Sequence, residues 1–156
     1  MSRRNISKKK FPVEDPIYNN LIVSLLIARI IKKGKKSLAN NIIKNVFEII
    51  EKRTNLNPIK TFEKAIKNVT PIVEVKACRI GGSTYQVPIE VSGFRGTTLS
   101  LRWILKAATN RSGKTFALKL ANEIIDASNL IGGAIRKREE THKMAEANKA
   151  FSHFRY

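Results

Sequence analysis

Acidic residues are scarce in this chain of 156 residues. Twelve Asp and Glu face thirty Lys and Arg, giving a formal net charge of +18 and a pI near 10.4. A compact domain so charged repels itself unless an anionic partner neutralises it, so nucleic acid, an anionic membrane face or an acidic protein is expected beside it. Cysteine is almost missing as well: Cys78 stands alone, which excludes an intramolecular disulfide. One cysteine and two distant histidines, His142 and His153, cannot assemble a structural zinc site of the usual Cys/His kind. Long apolar runs are absent too. The longest, LIVSLLIARII from Leu21 to Ile31, is eleven residues and contains Arg29, against the ~20 that a membrane span needs. No apolar segment backs the cations of MSRRNISKKK, so this stretch does not read as a secretory signal. It is also too short for an organelle transit peptide, and a copy working in an organelle is expected to be made there. Aromatics make up 7% of the chain and no strand carries a row of them, which argues against a stacking platform for single-stranded RNA.

What is present suffices for one ordinary domain, with 42% hydrophobic residues in helical periods. Residues 1–14 read as a basic arm and 15–156 as one helical domain. Asp15-Pro16 looks like an N-cap followed by proline at the first helical position. Ile17, Leu21, Leu25 and Ala28 would share a face of that helix, widened by Ile22, Leu26 and Ile30, with Lys32-Lys33-Gly34 as its stop. A second helix after Lys35-Lys36-Ser37 would bury Ala39, Ile42, Ile43, Val46, Phe47, Ile49 and Ile50. A third, from Asn57-Pro58 to Thr70-Pro71, would bury Phe62, Ala65, Ile66 and Val69.

The period then changes from 3.6 to 2. Val73, Val75 and Ala77 alternate on one run, and Tyr85, Val87, Ile89 and Val91 on the next, with Gly-Gly-Ser between them. Pro88 confines its strand to an edge, as a two-stranded ribbon allows. A lone hairpin is marginal in water, so one face of this one, at about 72–91, should lean on helices while the tip projects. Helical spacing returns with Thr97 or Thr98 as cap and Leu101, Ile104, Leu105 and Ala108 behind it. After Asn110–Lys114 come Phe116, Ala117, Leu120, Ile124 and Ala127. Beyond Gly132-Gly133 a last helix runs from Ala134 to about Ser152, with Met144, Ala147 and Phe151 as its apolar line. The expected fold is mostly α: about six helices in one domain with a single protruding two-stranded β-hairpin.

Gly34-Lys35-Lys36-Ser37 and Gly113-Lys114-Thr115 lack the earlier glycine and the leading strand of a phosphate-binding loop. They read as inter-helix turns whose lysines and helix N-terminal amides face phosphate. His142 reads as a solvated surface histidine, no Ser or Cys nucleophile has a base at motif spacing, and no enzyme or cofactor site emerges. The cations instead cluster in turns and extensions: Arg3, Arg4, Lys8, Lys9 and Lys10; Lys32, Lys33, Lys35 and Lys36; Lys76 and Arg79 beside the hairpin tip Gly81, Gly82, Ser83 and Thr84. Further sets are Arg95 and Arg102, Arg111 and Lys114, and Arg136, Lys137 and Arg138 with Lys143 and Lys149. Such groups give salt-sensitive phosphate binding with little base reading, which suits a folded RNA recognised by shape.

With these residues assembled, the sequence resembles the small-subunit ribosomal protein seven family in its bacterial and plastid form, over nearly all of 15–156. DPIYNNLIVSLLIARIIKKGKKSLA, VTPIVEVKACRIGGSTYQVPIEV, LRWILKAA and RKREETHKMAEANKAFSHFRY carry the resemblance. It implies direct binding to the 3′ major domain of the small-subunit rRNA, nucleation of head assembly, and neighbouring ribosomal proteins as partners. It also implies a hairpin and final helix at the exit tRNA site near mRNA, with no membrane partner. By position, the RNA-contacting hairpin falls on Lys76–Gln86, the basic turn on Lys32–Lys36 and the arm on Arg3–Lys10. Gly81 and Gly82 would allow close backbone approach to RNA. Cys78 stands where the family usually has arginine, and Ser92–Thr98 matches weakly. The Met-Ser-Arg-Arg start, Asp-Pro-Ile-Tyr segment and Phe-Arg-Tyr end look plastid, with the stroma as expected location and a bacterial cytoplasm as the alternative. The competing reading from charge alone is an architectural or general polyanion (DNA/RNA) binder with a ribbon arm in a minor groove.

Overall fold

The computed structural model describes residues 12–154; the basic arm predicted over Arg3–Lys10 lies outside them. The chain forms α1 (Leu21–Ile30), α2 (Lys36–Thr54), α3 (Pro58–Val69), β1 (Val73–Ile80), β2 (Ser83–Glu90), α4 (Gly93–Asn110), α5 (Phe116–Ser128) and α6 (Gly133–Ala147). A 3₁₀ segment, Lys149–Phe154, follows. Six helices and one antiparallel hairpin match the expected fold class.

The first helix starts later than its Asp-Pro signal suggests. Asp15 does cap, but it caps a turn, its Oδ2 accepting from the Ile17 and Tyr18 amides at 3.1 and 3.2 Å. The backbone then turns left-handed at Asn19 (φ 47°). Asn20 becomes the N-cap of α1, accepting from Ile22 and Val23 at 2.8 and 3.3 Å. The delay rotates the buried face. Ile17 is 67% exposed and Ala28 is exposed, while Val23, Leu26 and Ile27 enter the core. In α2 the burial follows expectation, with Ala39, Ile43, Val46, Phe47 and Ile50 inside and Ile42 and Ile49 at the margin. In α3 Asn57 caps, Pro58 takes the first position, and Phe62, Ala65, Ile66 and Val69 are buried. Tyr18, Phe47 and Phe62 stack through the middle, the first pair edge-to-face at 4.9 Å. Leu120, Ile124 and Ala127 of α5 close the core against α2, α3 and α4.

Two further boundaries differ. Ser92–Thr98 lies at the start of α4, which begins ahead of the Thr97 or Thr98 cap expected from the sequence. It supplies the N-cap and first turns of α4, where Thr97 donates to the Gly93 carbonyl at 3.0 Å instead of capping. The last α-helix stops at Ala147, and its buried line is Ala134, Ile135, Thr141 and Ala145, not Met144 and Ala147, which are exposed. Small residues dominate that line because α6 lies close against α4 and β1.

The hairpin pairs Val73 with Glu90 through to Ile80 with Ser83. Gly81 and Gly82 form its two-residue loop with φ of 57° and 89°, the doubly positive geometry of a type I′ turn. Only Val87 is fully buried among the described strand side chains. Tyr85 packs on Phe151 of the 3₁₀ segment with ring centres 5.4 Å apart, so the ribbon leans as expected on the C-terminal segment. Among the described residues no helix is long and apolar enough to cross a membrane.

Candidate nucleic-acid interface

The turn between α1 and α2 carries the densest basic group. Lys33 and Gly34 both adopt positive φ (52° and 72°), and Lys32, Lys33, Lys35 and Lys36 are all exposed. Lys35 holds the N-cap position of α2 without a side-chain bond; the Lys36 amide donates to the Gly34 carbonyl at 2.9 Å, and the α2 start has no side-chain cap. The second basic turn differs. Thr115 accepts from the Leu118 amide at 3.3 Å and so occupies part of the α5 N-terminus beside exposed Lys114.

Lys32, Lys33 and Lys35 rim a groove of about 500 Å³ between α1, α2, α4 and α5. Arg29 and Lys106 complete the rim. Across α4 lies a second groove of about 670 Å³, where Lys106 recurs with Arg102, Arg136 and Lys137. Joined by Lys106, the two grooves carry one basic band, in which Glu123 and Asp126 of the second groove are taken up by Arg111. None of Arg29, Lys32, Lys33, Lys35, Lys36, Arg102, Lys106 or Arg136 takes part in an ion pair among the described residues. Burial, together with the neighbouring Arg102 charge, holds the Arg29 pKa below its ordinary value. An anion placed there would relieve that repulsion.

Not every predicted cation is free. Arg95 is held by Glu74 in a two-pronged pair, Nε at 2.6 Å and the second guanidinium nitrogen at 2.9 Å. That hydrogen bond, with the carboxylate charge, raises its pKa. Arg111 is bound by both Glu123 and Asp126 at the α4–α5–α6 junction. Burial works against its charge, but the bonds to Asp126 and Glu123 outweigh it and raise the pKa. Lys137 pairs with Glu140 at 2.9 Å. Arg138 is half-buried and donates to the Asn68 carbonyl, with Glu139 3.9 Å away. Arg95, Arg111 and Arg138 thus fasten the hairpin base and α6 to the body.

On the hairpin, Lys76, Arg79, Gly81, Gly82, Ser83 and Thr84 are exposed, and Lys143 and Lys149 are exposed on the C-terminal segment. Arg3, Arg4, Lys8, Lys9 and Lys10 lie outside the described residues. Nothing within 4 Å would meet a Cβ at Gly81 or Gly82, so the turn geometry itself, and no contact inside the chain, accounts for both glycines. His142 is not the solvated histidine the sequence suggests. Its Nε2 accepts from the Ile72 amide at 3.2 Å, and burial and then Arg138 lower its pKa.

Sequence reasoning missed Arg29, Lys106, Glu123 and Asp126. Lys106 was within reach, because it falls four residues after Arg102 on the same helix face. Glu123 was not. It is 1% exposed inside an apolar helix and accepts from the Ala134 amide at 2.9 Å as well as from Arg111, so its partners come from two other elements. No cluster of His, Cys, Asp and Glu among the described residues could hold a metal.

The family described as Ribosomal protein S7p/S5e matches residues 2–149. The chain is 64% identical over 144 residues to small ribosomal subunit protein uS7c of Trieres chinensis, covering 92% of this chain and 91% of that protein. Small ribosomal subunit protein uS7 of Gloeothece citriformis is 58% identical and that of Microcystis aeruginosa 59%, each over 157 residues with both chains fully covered. With this fold, an unneutralised basic band and matches along its whole length, the chain belongs to the S7p/S5e family of ribosomal proteins, structural and not catalytic components.

Proposed function

We propose that this protein is a structural constituent of the small ribosomal subunit that binds the 3′ major domain of its rRNA directly and nucleates assembly of the head. The observation that carries the reading is the basic band: seven groove cations on α1, the α1–α2 turn, α4 and α6, with Lys36 beside them, that form no ion pair among the described residues. Backbone phosphates of a folded RNA are the ligands that such a surface fits, aided by the uncapped start of α2. The hairpin, its tip exposed, and the C-terminal segment packed on it through Phe151 would reach the exit tRNA and mRNA region. Neighbouring small-subunit proteins are the further partners. The proposed location is the plastid stroma, on the Met-Ser-Arg-Arg start and Phe-Arg-Tyr end, with a bacterial cytoplasm as the alternative.

The test is binding to 3′ major-domain RNA, an unrelated structured RNA of equal length and duplex DNA. Phosphate contacts numbering about 6–10 cost roughly 10³–10⁵ in affinity between about 50 and 200 mM salt. Retained preference for the ribosomal fragment at the upper end is expected. Equal loss on all three ligands would leave only a general polyanion binder. Lys35→Glu with Lys36→Glu should lower the salt slope by about 2, at roughly one unit per lost phosphate contact.

A further inference from the structure

The groove beside the α1–α2 turn is not only a ring of charge. Its rim is Arg29, Lys32, Lys33, Lys35 and Lys106, and no carboxylate lines it. Its walls and floor are apolar: Leu38 and Ile42 from α2, Leu105 from α4 and Phe116 from α5. Leu38 is 54% exposed at the opening, while Ile42, Leu105 and Phe116 are half-buried. Phosphate would satisfy the rim and leave these side chains uncovered in water. An apolar peptide would cover the floor and leave five cations without a counter-charge. A ligand must supply both an apolar face and flanking negative charge, and an unpaired nucleotide does so within one residue of its chain.

We propose that this groove receives a single unpaired nucleobase, from a bulge or loop of the bound RNA, with its flanking phosphates on the lysine rim. The inference rests on the RNA-binding reading above and adds a base contact to it. At about 500 Å³ the groove falls within the roughly 300–1,000 Å³ of sites that take small planar ligands. Phe116 supplies the ring face, and Arg29, tied to the Leu25 carbonyl at 3.2 Å, offers a fixed guanidinium plane at the edge. Bases extruded from structured RNA are held in this way, on aromatic and arginine planes. The chain has no row of aromatics, and one slot needs none.

The experiment uses the full chain and two hairpin RNAs that differ at one position. One carries a single bulged adenosine and its twin an abasic bulge, so that the phosphate count is equal. The bulged-adenosine RNA should bind about tenfold tighter, within the range of one base–aromatic contact. The advantage should persist unchanged as salt rises. Leu38→Ser, at an exposed position, and Phe116→Leu should each shrink it several-fold while leaving the salt slope intact. Equal affinities for the two RNAs with a steep salt slope would overturn the base slot and leave the phosphate-binding face standing. Shallow slopes on both RNAs would overturn that face and the slot with it. Displacement of the adenosine RNA by an acidic Leu/Phe-containing peptide, at concentrations where the abasic twin does not compete, would assign the groove to protein and also overturn the slot.

Discussion

Two strands of eight residues each bury one described side chain, Val87, whereas the ten residues of α1 bury three. The helical body and the hairpin are stabilised by different means. Helices α1 to α6 share one core in which Phe62, Leu26, Ile43, Leu101 and Leu120 have no solvent exposure. The hairpin is held toward its base by Val87, the Arg95–Glu74 pair and the Ile72–His142 bond, and nearer its loop by the Tyr85–Phe151 contact. A ribbon so attached keeps its tip, Arg79, Gly81, Gly82, Ser83 and Thr84, together with Lys76 and Gln86, exposed for a partner.

Breaking the body should cost most. Phe62→Ala removes a fully buried ring that touches Phe47, and should destabilise the whole domain by about 3–5 kcal/mol. Chemical denaturation followed by helical circular dichroism reads this, and a loss below about 1 kcal/mol would show that the core relaxes around the site. Next is the junction that orients α6. Glu123→Ala leaves Arg111 with Asp126 alone and the Ala134 amide without its acceptor, a loss of about 2–3 kcal/mol. Glu123→Gln keeps an acceptor for the amide and should recover part of this. If the two variants are equally unstable, the Arg111 charge pair, not the cap on α6, dominates the junction.

The hairpin should respond locally. Val87→Ala deletes about two methyl groups' worth of burial, roughly 1.6 kcal/mol at about 0.8 per group. Its signature is faster amide exchange across β1 and β2 with the protection of α2 and α3 unchanged. Equal loosening of α2 would mean that ribbon and body unfold as one unit. Arg95→Ala should have the smallest effect of these substitutions, a melting-temperature fall no larger than that of Val87→Ala, because its pair with Glu74 is exposed on the arginine side.

The same division explains what could be read from the sequence. Helices α2 and α3 were legible from their period, and in α3 the cap agrees: Asn57-Pro58 starts it, and Phe62, Ala65, Ile66 and Val69 all enter the core. The hairpin was legible from its change of period and its Gly-Gly loop. The start of α1 was misplaced because Asp15 and Asn20 are both sound caps, and only the left-handed step at Asn19 decides between them. The basic turn was found from composition, since unpaired lysines look alike in sequence and structure. Arg95, Arg111 and Arg138 could not be sorted from phosphate ligands in this way. Their hydrogen-bond partners lie 12 to 70 residues distant, and carboxylates are too few for charge patterning to point to them.

The joint between the two regions is expected to titrate. The Ile72 amide donates to His142 Nε2, an interaction that exists only while the imidazole is neutral. Burial and then Arg138 disfavour the charged ring, so the folded-state pKa lies below the unfolded value of about 6.5. The unfolded chain therefore binds the proton first as pH falls. The stabilisation is complete above the unfolded pKa and is lost progressively as pH drops from there toward the depressed folded value. Between pH of about 7.5 and 5.5, one neutral hydrogen bond of about 0.5–1.5 kcal/mol corresponds to a fall of about 1–6 °C in melting temperature. His142→Gln should flatten that part of the profile, and the protection of the Ile72 amide, relative to its intrinsic exchange rate at each pH, should fall with acid in the unsubstituted chain alone. A profile unchanged by His142→Gln would mean that the bond does not hold hairpin to α6, and that Val87 and the Tyr85–Phe151 contact fasten the ribbon without it.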